Sequence, residues 1–146
     1  YISMITIIQN VKFPNVLEID RLSEKFQKAL HQLKVSDCEV TIVLDSNKKL
    51  RELKKSYLGI DEIPDVLSFI SGEINPETGN IYMGDVVISL EKAIDQAKDN
   101  NHSIELEVLT LVVHVLLHLL NYDHSIESEA KTMFDKQDKI LEVINN

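Results

Sequence analysis

The 146-residue sequence predicts an α+β domain: a small mixed four-stranded sheet covered by about five helices, with residues 1–146 forming one unit. Three observations lead there. Short β-branched segments alternate with longer segments of helical periodicity, in the order β-α-β-α-β-β-α-α-α. One helical segment, opened by Ser103 and stopping near Asn121, is apolar nearly all round and belongs at the buried centre of the domain. Composition, 44% apolar and 27% charged, suits a single core, and no repeat or low-complexity tract divides the chain.

Ser3 to Gln9 is apolar and β-branched, a first strand. Val16 to Leu33 carries apolar residues at 19, 22, 26, 29, 30 and 33, which is helical spacing. Glu39 to Leu44 reads as the second strand. Asp45 or Ser46 can cap a helix reaching about Tyr57, with Leu50 and Leu53 on its buried side and Gly59 ending it. Val66 to Ile70 is a short strand, and 71–80, holding Gly72, Pro76 and Gly79, is expected to be a turn or hairpin loop. Strand character resumes over Ile81 to Ile88. Ser89 caps a helix to about Asp99, closed by Asn100 and Asn101. Ser103 opens the central helix, with Glu105 and Glu107 near its positive end, and Ser125 starts a last amphipathic helix.

No apolar run reaches the roughly 18–20 residues of a membrane span. The N-terminus lacks a basic segment followed by an apolar stretch, and Met4 is a candidate natural start. The lone Cys38 rules out an internal disulfide and fits a reducing compartment, so a cytoplasmic location is expected. A net charge of −9 argues against indiscriminate binding to nucleic acid, and no DNA partner is expected. One local exception stands out. Lys48, Lys49, Arg51, Lys54 and Lys55 crowd together with only Glu52 opposing them, either as a solvated helix face or as a contact for a polyanion.

The central helix carries the chemistry. His114 and His118 are four residues apart, so both imidazoles lie on one helical face, separated by about 6 Å of rise. His124 follows six residues later, after the helix has ended near Asn121. Zinc proteases of the H-E-x-x-H-x-x-G-x-x-H type share this 4-then-6 spacing. Their turn glycine is Asn121 here, a residue that tolerates left-handed backbone, and their glutamate general base is Val115, which disfavours peptide hydrolysis by that route. Three imidazoles leave a fourth coordination position open, which characterises catalytic zinc and equally suits nickel or copper. The alternative for each histidine alone is a hydrogen-bonded core residue. Asp123 can orient a ligand or cap the last helix, Tyr122 reads as packing, and His31 and His102 read as surface residues.

The segment His114-Val-Leu-Leu-His118-Leu-Leu-Asn-Tyr-Asp-His124 resembles the H-G-x-L-H-L-x-G-Y-D-H signature of the YbeY family, endoribonucleases of ribosomal RNA maturation. Asp65-Val-Leu-Ser-Phe69 resembles the family's T-D-V-L-S-F strand, and Met83-Gly-Asp-Val-Val-Ile-Ser89 its L-G-D-I-x-I-S strand. The resemblance covers nearly the whole chain. It implies that His114, His118 and His124 hold one divalent metal, usually zinc, with His114 at the catalytic centre; nickel is the alternative that imidazole ligation allows. It implies hydrolysis of single-stranded RNA in maturing the 3′ end of small-subunit rRNA and in ribosome quality control, with the small subunit or its assembly factors as partners.

Departures from the family pattern accompany it. The L-N-x-x-Y-R-G segment is Leu53-Lys-Lys-Ser-Tyr-Leu-Gly59, so the arginine expected at the phosphate is Leu58, the asparagine is Lys54, and the threonine before the strand is Pro64. Leucine supplies neither charge nor hydrogen bonds. Either Arg51, Lys54 and Lys55 take over the RNA contact, or the protein is a weakly active or non-catalytic metal-binding component of the ribosome's surroundings. Ser68, on the matching strand, either faces the site through its hydroxyl or is structural.

Overall fold

The computed structural model describes residues 4–11, 17–33, 37–119 and 127–144, with side chains from 133 onward in the last stretch. Four strands, β1 (Met4–Gln9), β2 (Cys38–Asp45), β3 (Val66–Ile74) and β4 (Ile81–Ser89), form one sheet in the order β1-β2-β4-β3. The helices are α1 (Ile19–Gln32), α2 (Asn47–Leu58), α3 (Leu90–Asp99), α4 (Ile104–Leu119) and α5 (Glu127–Ile144). β1, β2 and β4 run parallel, and β3 returns antiparallel along β4, so the sheet is mixed as expected.

Side-chain alternation assigns the two faces. Val40, Ile42 and Leu44 of β2 are in register with Gly84, Val86 and Ile88 of β4, and this face meets Leu22, Phe26, Val108, Val112 and Leu116 in the main core. Helices α1 and α4 pack on it, and α5 packs on both of them, adding Met133, Ile140 and Ile144 to the same core. On the opposite face, Thr41, Asp85 and Phe69 stand in one row across β2, β4 and β3. There α2 packs on β3 and β4, and the Tyr57 ring meets Phe69 edge-on with centroids 5.1 Å apart. Leu50 is fully buried beneath α2 yet lies outside the main cluster.

The caps follow sequence chemistry. Ser46 and Ser89 accept hydrogen bonds from the Lys49 and Lys92 amides, each at 3.2 Å, at the starts of α2 and α3. Ser103 does the same for Leu106 at 3.1 Å. Gly59 ends α2 in left-handed conformation, φ 69°, its amide bonded to the Lys55 carbonyl. Thr110 is accommodated inside the apolar α4 because its hydroxyl donates to the Leu106 carbonyl at 2.7 Å.

Two expectations are corrected. The segment 71–80 is not all turn: β3 continues to Ile74, because the ladder resumes at Glu73 after an irregularity in which Gly72 takes φ 127°. The turn itself is fastened to β2 by Glu39, which accepts from Thr78 Oγ1 at 2.6 Å and Asn75 Nδ2 at 3.1 Å. These bonds, Thr78 first, hold the Glu39 carboxyl below its usual range. His102 is likewise not a simple surface residue: it is half-buried and its Nε2 pairs with the buried Glu107.

Glu105 does more than complement a helix dipole. It is buried, and Lys25 and Arg21 of α1 both donate to it, Arg21 Nε at 2.8 Å. Burial by itself raises this carboxyl's pKa, but the bonds from Lys25 and Arg21 outweigh that and hold it below the usual value. The ion pair therefore stabilises the fold fully above the carboxylate's ordinary range, and that contribution is lost as pH falls through the lowered folded value. Glu105→Gln is expected to cost about 2 kcal/mol at neutral pH, discounted for the solvent around Arg21. Urea midpoints across pH 7 to 3 check this: the wild-type advantage over the variant should shrink at the acid end.

Candidate active site

Helix α4 brings the two expected ligands together. The Nε2 atoms of His114 and His118 lie 3.1 Å apart, with ring centroids 4.7 Å apart and planes at 76°. Both rings are half-buried at the C-terminal half of a helix whose other positions, Val112, Val113, Val115, Leu116 and Leu117, are in the core. The helix thus fixes the histidine face by burying the remainder. Two imidazoles bound at about 2.05 Å to one tetrahedral zinc would place their nitrogens about 3.3 Å apart, so the observed separation fits a shared cation. The same distance serves a hydrogen bond from one Nε2–H to the other, and metal content tells the two apart.

Among the described residues, no third His, Cys, Asp or Glu joins this pair. The third expected ligand, His124, lies outside the described residues, as do Asn121, Tyr122, Asp123 and the Ser125 cap. Val115, at the position of the protease glutamate, is buried at 6% exposure and supplies no base beside the pair.

Helix α5 contributes two residues that the sequence alone did not single out. Gln137 Oε1 lies 2.9 Å from His114 Nδ1, and the Phe134 ring sits 6.0 Å from the His114 ring. Their i, i+3 spacing shows that they share a helical face, but not which face meets His114. Ser68, on the edge strand β3, is in register with Val86 and therefore on the α4 side of the sheet, where it is exposed.

The basic group lies on α2, across the sheet from α4. Arg51 binds Asp61 through two nitrogens, at 2.6 and 3.1 Å, and Lys54 pairs with Glu62. The Arg51 bond holds the Asp61 carboxyl below its usual range. Lys48, Lys49 and Lys55 are exposed. Beside them Tyr57, Leu58, Ile60 and Ile63 expose an apolar surface, Leu58 at 59%. Both α2 and α4 touch β3, so the edge strand is the element the two groups share.

Comparison with known proteins agrees with this architecture. The family model described as endoribonuclease YbeY matches residues 7–145. An endoribonuclease YbeY of Thermoanaerobacter sp. (strain X514) is 35% identical over 144 residues, covering 90% of this chain and 91% of that protein. One from Caldanaerobacter subterraneus is 44% identical over 118 residues, covering 74% and 75%. A Thermotoga maritima protein solved in solution superposes with a TM-score of 0.69 at 29% identity, over 97% of this chain and 89% of the other. With the family model spanning nearly every residue, the chain belongs to the YbeY endoribonuclease family.

Proposed function

We propose that this chain is a metal-dependent endoribonuclease that cuts single-stranded RNA in the maturation of small-subunit rRNA and in ribosome quality control. Endoribonuclease activity follows from family membership. The observation that supports the metal assignment is the 3.1 Å separation of His114 and His118 Nε2, a spacing that one cation could span. His124 completes the ligand set in this reading, and zinc, with nickel as the alternative, matches an all-imidazole donor set. When bound, such a cation supplies Lewis acidity and lowers the pKa of a water molecule to near neutrality, which suits attack on a phosphodiester.

The protein's own contribution is placement. α4 presents the histidines from a buried scaffold, and β3, the edge strand of the sheet among the described residues, is the element along which an extended RNA strand can run between the α4 and α2 sides. Residues 1–146 act as one domain in this reading. Arg51, Lys54 and Lys55 are the cations proposed to meet RNA phosphates, and Asp61 and Glu62 must then yield Arg51 and Lys54 to the substrate. The small subunit or its assembly factors are the proposed partners, and the cytoplasm the proposed location, to which the lone buried Cys38 is suited. Among the described residues, no single helix is long and apolar enough to cross a membrane.

Cleavage of a labelled single-stranded RNA by the wild type and by His114→Ala tests the proposal. A wild type that cuts no faster than the variant would favour the second reading, a metal-binding component without efficient cleavage. That second reading draws on Leu58, an exposed leucine at the end of α2 with no means of holding a phosphate. Leu58→Arg is accordingly expected to tighten RNA binding or raise the cleavage rate several-fold, by about 1 kcal/mol for one charge-assisted phosphate contact. Filter binding and initial rates check it, and no change in either would argue against a phosphate path over α2.

A further inference from the structure

We propose that Gln137 is a positioning residue for the metal site: it fixes the His114 imidazole with its proton on Nδ1, so that Nε2 is the nitrogen offered to the cation. This rests on the metal-site reading given above. The starting observation is a polar residue in an apolar stripe. On α5, Gln137 lies four residues after Met133 and three before Ile140, both in the core, and is itself only 8% exposed. An amide in such a position costs stability unless it is hydrogen-bonded. Its oxygen meets His114 Nδ1 at 2.9 Å.

A carbonyl oxygen only accepts, so at this contact Nδ1 must donate. A neutral imidazole with its proton on Nδ1 keeps its lone pair on Nε2. That Nε2 is the atom 3.1 Å from His118 Nε2. Packing of α5 on α4 and α1 sets where the Gln137 oxygen sits, so tautomer and ring orientation at the metal site are built into the helix interface. A glutamine that merely docked α5 would stabilise the fold without selecting a tautomer or changing metal affinity.

Three proteins and two readouts separate these roles: full-length wild type, Gln137→Met and Gln137→Glu. Long-range proton–nitrogen NMR of the metal-free proteins reports the His114 tautomer, and competition against a chromophoric chelator reports zinc affinity. In the wild type, His114 should carry its proton on Nδ1. Gln137→Met should lose that preference and bind zinc about 10–100-fold more weakly, the usual effect of removing a group that orients a ligand. Gln137→Glu keeps an acceptor at similar reach and should bind at wild-type affinity or tighter. A wild-type His114 with its proton on Nε2 overturns the proposal. So does a Gln137→Met protein with unchanged affinity, or a Gln137→Glu protein as weak as Gln137→Met. Should the wild type take up no zinc, the metal-site reading fails instead, while the tautomer measurement still decides on Gln137.

Discussion

His118→Ala is expected to abolish specific metal uptake, weakening zinc or nickel binding by more than about 100-fold, because losing a ligand exceeds the 10–100-fold cost of losing a group that orients one. The fold should survive. His118 is only half-buried and projects from the site side of α4, whereas Val112, Val113, Leu116 and Leu117 on the other sides hold the helix in the core. Metal-free variant and metal-free wild type should therefore unfold within about 1 kcal/mol of each other. Added zinc separates them by mass action: at a hundredfold excess over its dissociation constant it stabilises the wild type by about 2.7 kcal/mol and the variant by less than about 0.4 kcal/mol. Thermal melts with and without zinc, alongside metal analysis of the purified proteins, check both halves. Equal metal content in the two proteins would contradict a role for His118 as ligand.

Gly84→Ala should be the most damaging small change in the sheet. Gly84 sits at φ 142°, a region L side chains rarely adopt, next to a register shift that pairs Tyr82 with Glu39 and Gly84 with Val40. A Cβ at this position would overlap the Phe69 carbonyl oxygen and lie 3.0 Å from its carbon and 3.1 Å from Ile70 Cα. All three atoms are backbone of β3, so relief requires moving the strand that carries Ser68 and Phe69. Backbone strain and overpacking together suggest a loss of about 3–4 kcal/mol, or about 10 °C in melting temperature for a domain of this size. Gly59→Ala is the control: it is also left-handed, at φ 69°, but has nothing within 4 Å, so only the conformational cost of about 1–2 kcal/mol for an L residue in left-handed backbone applies. Calorimetry of the two variants should rank them in that order. Equal losses would mean that close approach to β3 plays no part.

Much of the framework was legible because local chemistry and packing agree. Ser46, Gly59, Ser89 and Ser103 mark helix ends through bonds and backbone angles that only such residues supply, and each does so in the structure. The apolar α4 announced its burial, and the four-residue spacing of His114 and His118 placed them side by side. Expectations failed where meaning depended on contacts that a local sequence pattern does not display. Gly72 suggested a turn but allowed β3 to continue, because the ladder to β4 was there to resume. His102 and Glu105 gained partners in Glu107 and α1 that no periodicity reveals. Gln137 and Phe134 escaped notice for the same reason: their role depends on how α5 is rotated against α4. For the basic run, the sequence displayed the cations, while the carboxylates of Asp61 and Glu62 that engage two of them came from the following loop.

Titrating zinc into metal-stripped protein while following cleavage of a single-stranded RNA tests the central claim most directly. The rate should rise from near zero in proportion to added metal and level off at one ion per chain, and it should stay near zero throughout for His118→Ala. Cleavage at full rate by the stripped protein, or an equal rate from the variant, would contradict a single histidine-held cation as the source of the activity.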